Sequence, residues 1–211
     1  MTATRICFIR HGETAWNVER RIQGQTDIPL NETGLRQAMA MAFNAARYTF
    51  AAIYSSDLAR ARATAEKLAE RDGLEVQLLP LLRERHYGIF QGLTAAEGRA
   101  RHPQAHAHYL ARDTAYDFET GESMLAFAAR VQAAVHEMTR HHAGQTLAAV
   151  THAGVLDVLY RTATGRPLHT PRDFSIPNCA LNWFSFDSRG WRLGAWDDHH
   201  YLADVIKEAA E

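Results

Sequence analysis

Four short apolar runs, at 5–9, 52–55, 75–79 and 145–151, are each followed by a segment of helical character, at 34–46, 58–71, 93–112 and 155–163. This repetition restricts the fold more than any other feature of the chain. A strand that returns to a parallel neighbour needs a crossover, and a helix both fills the crossover and covers a sheet face. The expectation is an α/β fold with helices on both faces of a mostly parallel sheet. Two more strands, 180–186 and 191–196, are joined by Asp187-Ser188-Arg189-Gly190, which reads as a hairpin and adds an antiparallel edge strand. No repeat or linker interrupts the series, so one domain over 1–211 is expected.

The punctuation between these runs is specific. Asn31-Glu32-Thr33-Gly34 is a turn signal before the first helix, and Ser56 or Asp57 can cap the second. Pro103 interrupts 93–112, and Gly165 with Pro167 ends the helix at 155–163. A longer helical pattern at 122–142 places Leu125, Ala129, Val131, Val135 and Met138 on its apolar side.

Several function classes are disfavoured. Formal net charge is −1, so no global basic field favours nucleic acid or a membrane surface. No apolar run approaches the ~18 residues of a membrane span, and no signal-peptide core precedes the first strand. Cys7 and Cys179 stand among apolar neighbours and offer neither a disulfide framework nor a CxxC pattern; buried free thiols in a cytoplasmic, reducing setting are expected. A metalloenzyme is the rival that the 12 histidines raise, but His102, His106 and His108 lack nearby acidic ligands, and His141-His142 and His199-His200 are adjacent pairs that chelate poorly.

Two strands of this pattern end in histidine, His11 and His152. Ligands of open α/β sheets bind beyond the carboxyl ends of the strands, so both histidines fall on the functional rim. In Arg10-His11-Gly12-Glu13-Thr14, a neutral imidazole is a competent nucleophile toward phosphorus, and the adjacent guanidinium stabilises phosphoryl charge. Gly12 would let the backbone approach an anion. A second element, Tyr54 to Arg62, runs from a strand into a helix start, where free amides and Arg60 suit an anion, whereas Arg62 reads as solvent-facing. Glu84, in Leu82 to Gly88, is a candidate acid for the leaving oxygen, provided burial or a nearby anion keeps it protonated. His152, in Val150 to Gly154, could donate to the same phosphoryl group.

Together these pieces resemble the histidine phosphatase, or phosphoglycerate mutase-like, superfamily, from Arg5 to about Leu202. The resemblance rests on Arg10 to Thr14, Asn17, Gln23-Gly24, Leu30 to Gly34, Ser55 to Ala61, Arg83 to Gly88, Gly121 to Ser123 and Thr151 to Gly154. It implies a three-layer α/β/α sandwich. It implies His11 as phosphorylated nucleophile, Arg10, Arg60 and His152 as phosphate pocket, and Glu84 as proton donor and then base. It places Asn17, Gln23, Gly24, Tyr87 and Ala153 on the substrate side, with no metal and no cofactor. The implied activity is phosphoric monoester hydrolysis through a phosphohistidine, and the implied partner is a small phosphorylated metabolite, acted on by a monomer or homodimer.

The same resemblance leaves a cofactor-dependent mutase as the alternative, which Glu84-Arg85-His86-Tyr87-Gly88 favours. Mutases carry a lysine shortly after the glycine matching Gly92, and an arginine pair later. Here Ala95 takes the lysine's place and Arg112 stands alone beside Asp113. Fewer cations for a second acidic group favour the phosphatase. A catalytically silent phospho-ligand scaffold is the alternative of a different class; retention of His11, Arg10, Arg60, Glu84 and His152 argues against it. The segment 93–125 is expected to shape the leaving-group pocket, with Tyr109, Tyr116 and Phe118 as packing or substrate-facing aromatics.

Overall fold

A computed structural model describes residues 3–203 and Val205. The six strands are β1 (Thr4–Arg10), β2 (Ala52–Ser55), β3 (Val76–Leu78), β4 (Thr146–Thr151), β5 (Leu181–Asp187) and β6 (Gly190–Leu193), in the sheet order β3-β2-β4-β1-β5-β6. The first four are parallel, and the pairs β1–β5 and β5–β6 are antiparallel. The expected hairpin is therefore the edge of the sheet. Its tight turn closes at Gly190, whose φ of 102° favours glycine.

The described helices are α1 (Ala15–Val18), α2 (Glu32–Asn44), α3 (Ala59–Asp72), α4 (Ala95–Arg101), α5 (Pro103–Leu110), α6 (Met124–Thr139) and α7 (Ala153–Thr164). Successive residues of β1 and β4 feed two cores. Ile6, Phe8, Leu147 and Ala149 pack under α6 and α7, whereas Cys7, Ile9, Ala148 and Val150 pack under α2 and α3. Side chains that alternate between faces, each face buried, make the three layers. Cys7 and Cys179 are free and fully buried, and burial pushes both thiols above their ordinary value. Among the described residues no helix is long and apolar enough to cross a membrane.

Three local expectations change. Asn31 is the cap of α2, its side chain accepting from Gly34 N at 2.8 Å, so the turn signal starts the helix two residues earlier than the pattern implies. Neither Ser56 nor Asp57 caps the first turn of α3. Asp27, remote in sequence, accepts from Ala59 N at 2.8 Å, because Asp57 is taken by the Arg83 guanidinium. On α6, Leu125 and Ala129 face solvent, and the buried stripe runs through Phe127, Ala128, Val131, Ala134, Val135 and Met138. Arg130, tied to Glu122, sets that rotation.

Candidate active site

Parallel pairing of β1 with β4 puts Arg10 opposite Thr151, and His11 N donates to Thr151 O at 2.9 Å. The two strands thus end level, and the residues that follow emerge side by side: the His11 and His152 rings lie 5.1 Å apart. His11 Nδ1 is 2.7 Å from Gly12 O. A carbonyl can only accept, so the proton sits on Nδ1 and Nε2 carries a bare lone pair. Burial first, then the charges of Arg60 and Arg10, hold His11 well below the usual imidazole range; burial and Arg60 do the same to His152. Both rings are neutral at physiological pH. His152 Nε2 is fixed by Ser56 Oγ at 2.9 Å, a residue that the sequence offered only as a helix cap, and its buried Nδ1 has no partner among the described residues.

Gly12 does something other than expected. A Cβ there would lie 2.4 Å from Gly34 O, and Gly12 N donates to Thr64 Oγ1 at 3.0 Å. The glycine is needed where the loop crosses α2, and its amide is already used within the protein.

Arg60 is buried and Arg10 half-buried, and neither has a carboxylate partner among the described residues. Arg10 Nη1 donates to Ile176 O at 2.6 Å, and Arg60 donates to Thr26 O and Gly24 O at 2.9 and 2.7 Å. Neutral carbonyls orient these guanidiniums without cancelling their charge, and burial lowers each to about 10, still cationic at pH 7. Arg10 Nε and Arg60 Nε are buried and unpaired. Unpaired cationic donors under a low-dielectric surface are the requirement for holding an oxyanion. At the start of α3, the Ala59 and Leu58 amides are already held, by Asp27 and Ser56. Arg62 is exposed and pairs with Glu66, as expected.

Glu84 lies across the cleft from His11. Its Oε1 accepts from Arg85 N at 2.8 Å and its Oε2 from Gly154 N at 2.9 Å, so both oxygens are placed by backbone. Tyr87 stands beside it; burial and then Glu84 push its phenol far above the ordinary value, leaving a neutral donor. Asn17 accepts from Thr14 N in the capping box of α1, and Gln23 Nε2 donates to Thr14 Oγ1 at 2.8 Å. Ala153 is the first residue of α7, whose N-terminus favours negative charge.

Arg10, His11, Asn17, Gln23, Gly24, Arg60, Glu84, Tyr87 and Ala153 line one cleft of 250 Å³, and His152 lies directly behind it. A second cleft of 300 Å³ continues from it, sharing Glu84, Tyr87, Tyr109, Ala153 and Arg172. Phe118, Met124 and Phe127 give the second cleft an apolar lining. Phe118 is fully buried against Phe90 and Tyr116, whereas Tyr109 is partly exposed on the lining. The 93–125 segment therefore both packs and shapes the pocket. Sequence reasoning missed Ser56, Arg172 and Asn178, which donates to His11 O at 2.7 Å. Ser56 stands in the Ser55 to Ala61 run but reads there only as a helix cap, and Arg172 and Asn178 sit in no pattern that could have exposed them. Among the described residues, no three His, Cys, Asp or Glu side chains form a group that could hold a metal ion.

A family model described as the histidine phosphatase superfamily (branch 1) matches residues 6–199. The chain is 35% identical to a metal-independent phosphoserine phosphatase of Arabidopsis thaliana, over 96% of this chain and 84% of that protein. It is 37% identical to phosphoglycerate mutase-like protein 4 of the same plant, over 95% and 87%. A solved mycobacterial glucosyl-3-phosphoglycerate phosphatase superposes with a TM-score of 0.82 at 33% identity, covering 93% of this chain and 100% of that one.

Proposed function

The chain belongs to the histidine phosphatase superfamily, and from that premise we propose that it hydrolyses small phosphate monoesters through a covalent phosphohistidine on His11. The observation that carries this reading is the state of His11. It is neutral, its Nδ1 proton is held by Gly12 O, and it shares one cleft with the guanidiniums of Arg10 and Arg60 and the carboxyl group of Glu84.

The phosphoryl group enters between Arg10, Arg60 and His152, whose unpaired atoms bond its oxygens. His11 Nε2 attacks phosphorus as the ester P–O bond breaks, and Glu84 delivers a proton to the departing alcohol. Water then attacks the phosphohistidine and gives its proton to the Glu84 carboxylate. The P–N bond breaks and neutral His11 returns. Asn17, Gln23, Gly24, Tyr87 and Ala153 line the substrate side. Every step is carried by side chains, and no metal ion is invoked.

Two of the arginines around the cleft are tied up, which leaves fewer cations for a second acidic group and favours hydrolysis over mutase chemistry. Arg112 donates to Asp157 and Leu168 O, and Arg21 pairs with Glu97 and Glu19. Purified protein in EDTA with p-nitrophenyl phosphate tests the reading: phosphate release that disappears in His11→Ala is expected. Absence of release at every pH would sink it, and interconversion of 2- and 3-phosphoglycerate outrunning release would replace it with the mutase.

A further inference from the structure

The run Gly121-Glu122-Ser123 lines neither half of the cleft. Its contacts are with the loop that carries Glu84. A Cβ at Gly121 would collide with His86 O and lie 2.7 Å from Gly88 N, so glycine lets the two backbones meet, and Glu122 N donates to His86 O at 2.9 Å. Ser123 Oγ accepts from Ala126 N at 3.1 Å and starts α6, which two turns later brings Arg130 back to Glu122.

All five N–H groups of Arg130 are engaged. Nε and Nη2 each donate to one oxygen of Glu122, both at 2.7 Å. Nη1 donates to Leu81 O at 2.9 Å and Arg83 O at 2.8 Å, and Nη2 donates also to Glu84 O at 3.0 Å. The carbonyl between them, Leu82 O, accepts from Thr151 Oγ1 at 2.8 Å, one residue before His152. Four successive carbonyls, 81 to 84, are thus each held by a side chain. Glu122 grips the far side of the same loop, its Oε2 accepting from His86 N at 2.9 Å. One ion pair therefore fixes the chain both before and after Glu84.

The carboxyl follows the chain. Glu84 Oε1 accepts from Arg85 N, which lies inside the gripped stretch. An acid works only within hydrogen-bond reach of the oxygen it protonates, so the placing of this loop sets the reach. A planar fork with five donors meets three carbonyls and both oxygens of a carboxylate at once; an ammonium, with three donors, cannot.

We propose that Arg130, paired with Glu122, is the positioning residue for the acid: it fixes the backbone of the Glu84 loop, and through it the carboxyl that protonates the leaving alcohol. The proposal rests on the phosphatase reading for the role of Glu84. Neither Arg130 nor Glu122 lines the cleft, so the pair acts through Glu84 and not on the substrate.

Two measurements on Arg130→Lys and Glu122→Gln test it. The first is kcat/KM on an alkyl phosphate and on p-nitrophenyl phosphate. Arg130→Lys should lose about 10²-fold on the alkyl ester, the cost of a misplaced reacting group, and about tenfold or less on p-nitrophenyl phosphate, whose leaving anion needs no proton. Glu122→Gln, milder for the fold, should show the same split at smaller size. The double variant should lose no more than Arg130→Lys alone, because the two residues act as one unit. Equal losses on the two esters would make the pair a clamp for the fold at large and overturn the proposal, as would an undiminished alkyl rate. The second measurement is backbone hydrogen exchange. Either variant should speed exchange across 84–88, by about tenfold in Arg130→Lys, and leave β1 and β4 as in wild type. Wild-type protection of that loop in both variants also overturns the proposal. Exchange needs no turnover. If wild type releases phosphate from neither ester, the phosphatase reading fails, and exchange still decides whether Arg130 holds the Glu84 loop.

Discussion

Gly154→Ala tests the proposed acid, Glu84, apart from the proposed nucleophile, His11. A Cβ at Gly154 would lie 2.1 Å from Glu84 Oε1 and 3.0 Å from its Cδ. Ordinary contact between a methyl carbon and oxygen needs about 3.4 Å, so the carboxyl must retreat by over an ångström, and a shift of that size costs about 10²-fold where a reacting group must be aligned. The fold should tolerate it. Gly154 is the second residue of α7, and replacing glycine by alanine in a helix gains about 1 kcal/mol. Loss of the Gly154 N to Glu84 bond costs about the same. Tm should therefore move by only a few degrees. The assay is kcat/KM on two esters. An alkyl phosphate, whose alcohol cannot leave unprotonated, should lose about 10²- to 10³-fold. p-Nitrophenyl phosphate leaves as a stable anion and should lose about tenfold or less, with trapped phosphohistidine still detectable. Equal losses on the two esters would refute the assignment of Glu84 as acid, as would an undiminished rate on the alkyl ester.

Three other outcomes are expected. Arg60→Lys should lower kcat/KM by about 10²-fold although charge is kept, because a lysine cannot hold Thr26 O and Gly24 O while also facing the phosphate; activity within threefold of wild type would count against it. Ser56→Ala should reduce kcat by about tenfold with KM changed less, through loss of the His152 Nε2 contact; an unchanged kcat would show that His152 needs no second anchor. The depressed pKa values of His11 and His152 also carry a stability prediction. Unfolding returns each ring to about 6.5, so below that value the unfolded chain binds protons that the folded chain does not, and stability falls as pH falls from about 7.5 toward 5. Thermal melts across that range should show the decline, and His11→Asn should make it shallower; a slope identical to wild type would contradict the buried neutral imidazole.

The layers and the residues that meet in the cleft were legible because both are written locally. Apolar runs such as Ile6–Ile9 and Leu147–Val150 have no polar face, which fits strands buried on both sides. His11 and His152 stand just past the ends of two such runs, so strand pairing brings them together, and Arg60 and Glu84 arrive from the helix and the loop beyond β2 and β3. What could not be read depends on the register between distant segments. Asp27 caps α3, Ser56 meets His152 and Arg172 lines the cleft with Tyr109, and none of these pairs shares a period or spacing. Gly12 was read for the right residue and the wrong neighbour: its missing Cβ makes room for Gly34, not for an anion. Arg112 was weighed as a ligand contact, yet its fork is occupied by Asp157 and Leu168 O.

The sheet order bears on how the chain is made. β1 lies between β4 and β5, and both neighbours come from residues beyond 145. During synthesis Ile6 to Ile9 therefore leaves the ribosome without a partner, and two-thirds of the chain must follow before either edge is covered. β4 then enters between β1 and β2, joining the first strand to the rest of the sheet in the same event that sets His152 beside His11. Such late closure of long-range pairs slows folding and leaves an apolar strand available to other chains meanwhile. The histidine pair of the cleft and the cover over an apolar strand are thus completed by one step, so a change that delays β4 should cost yield before it costs the activity of the molecules that do fold.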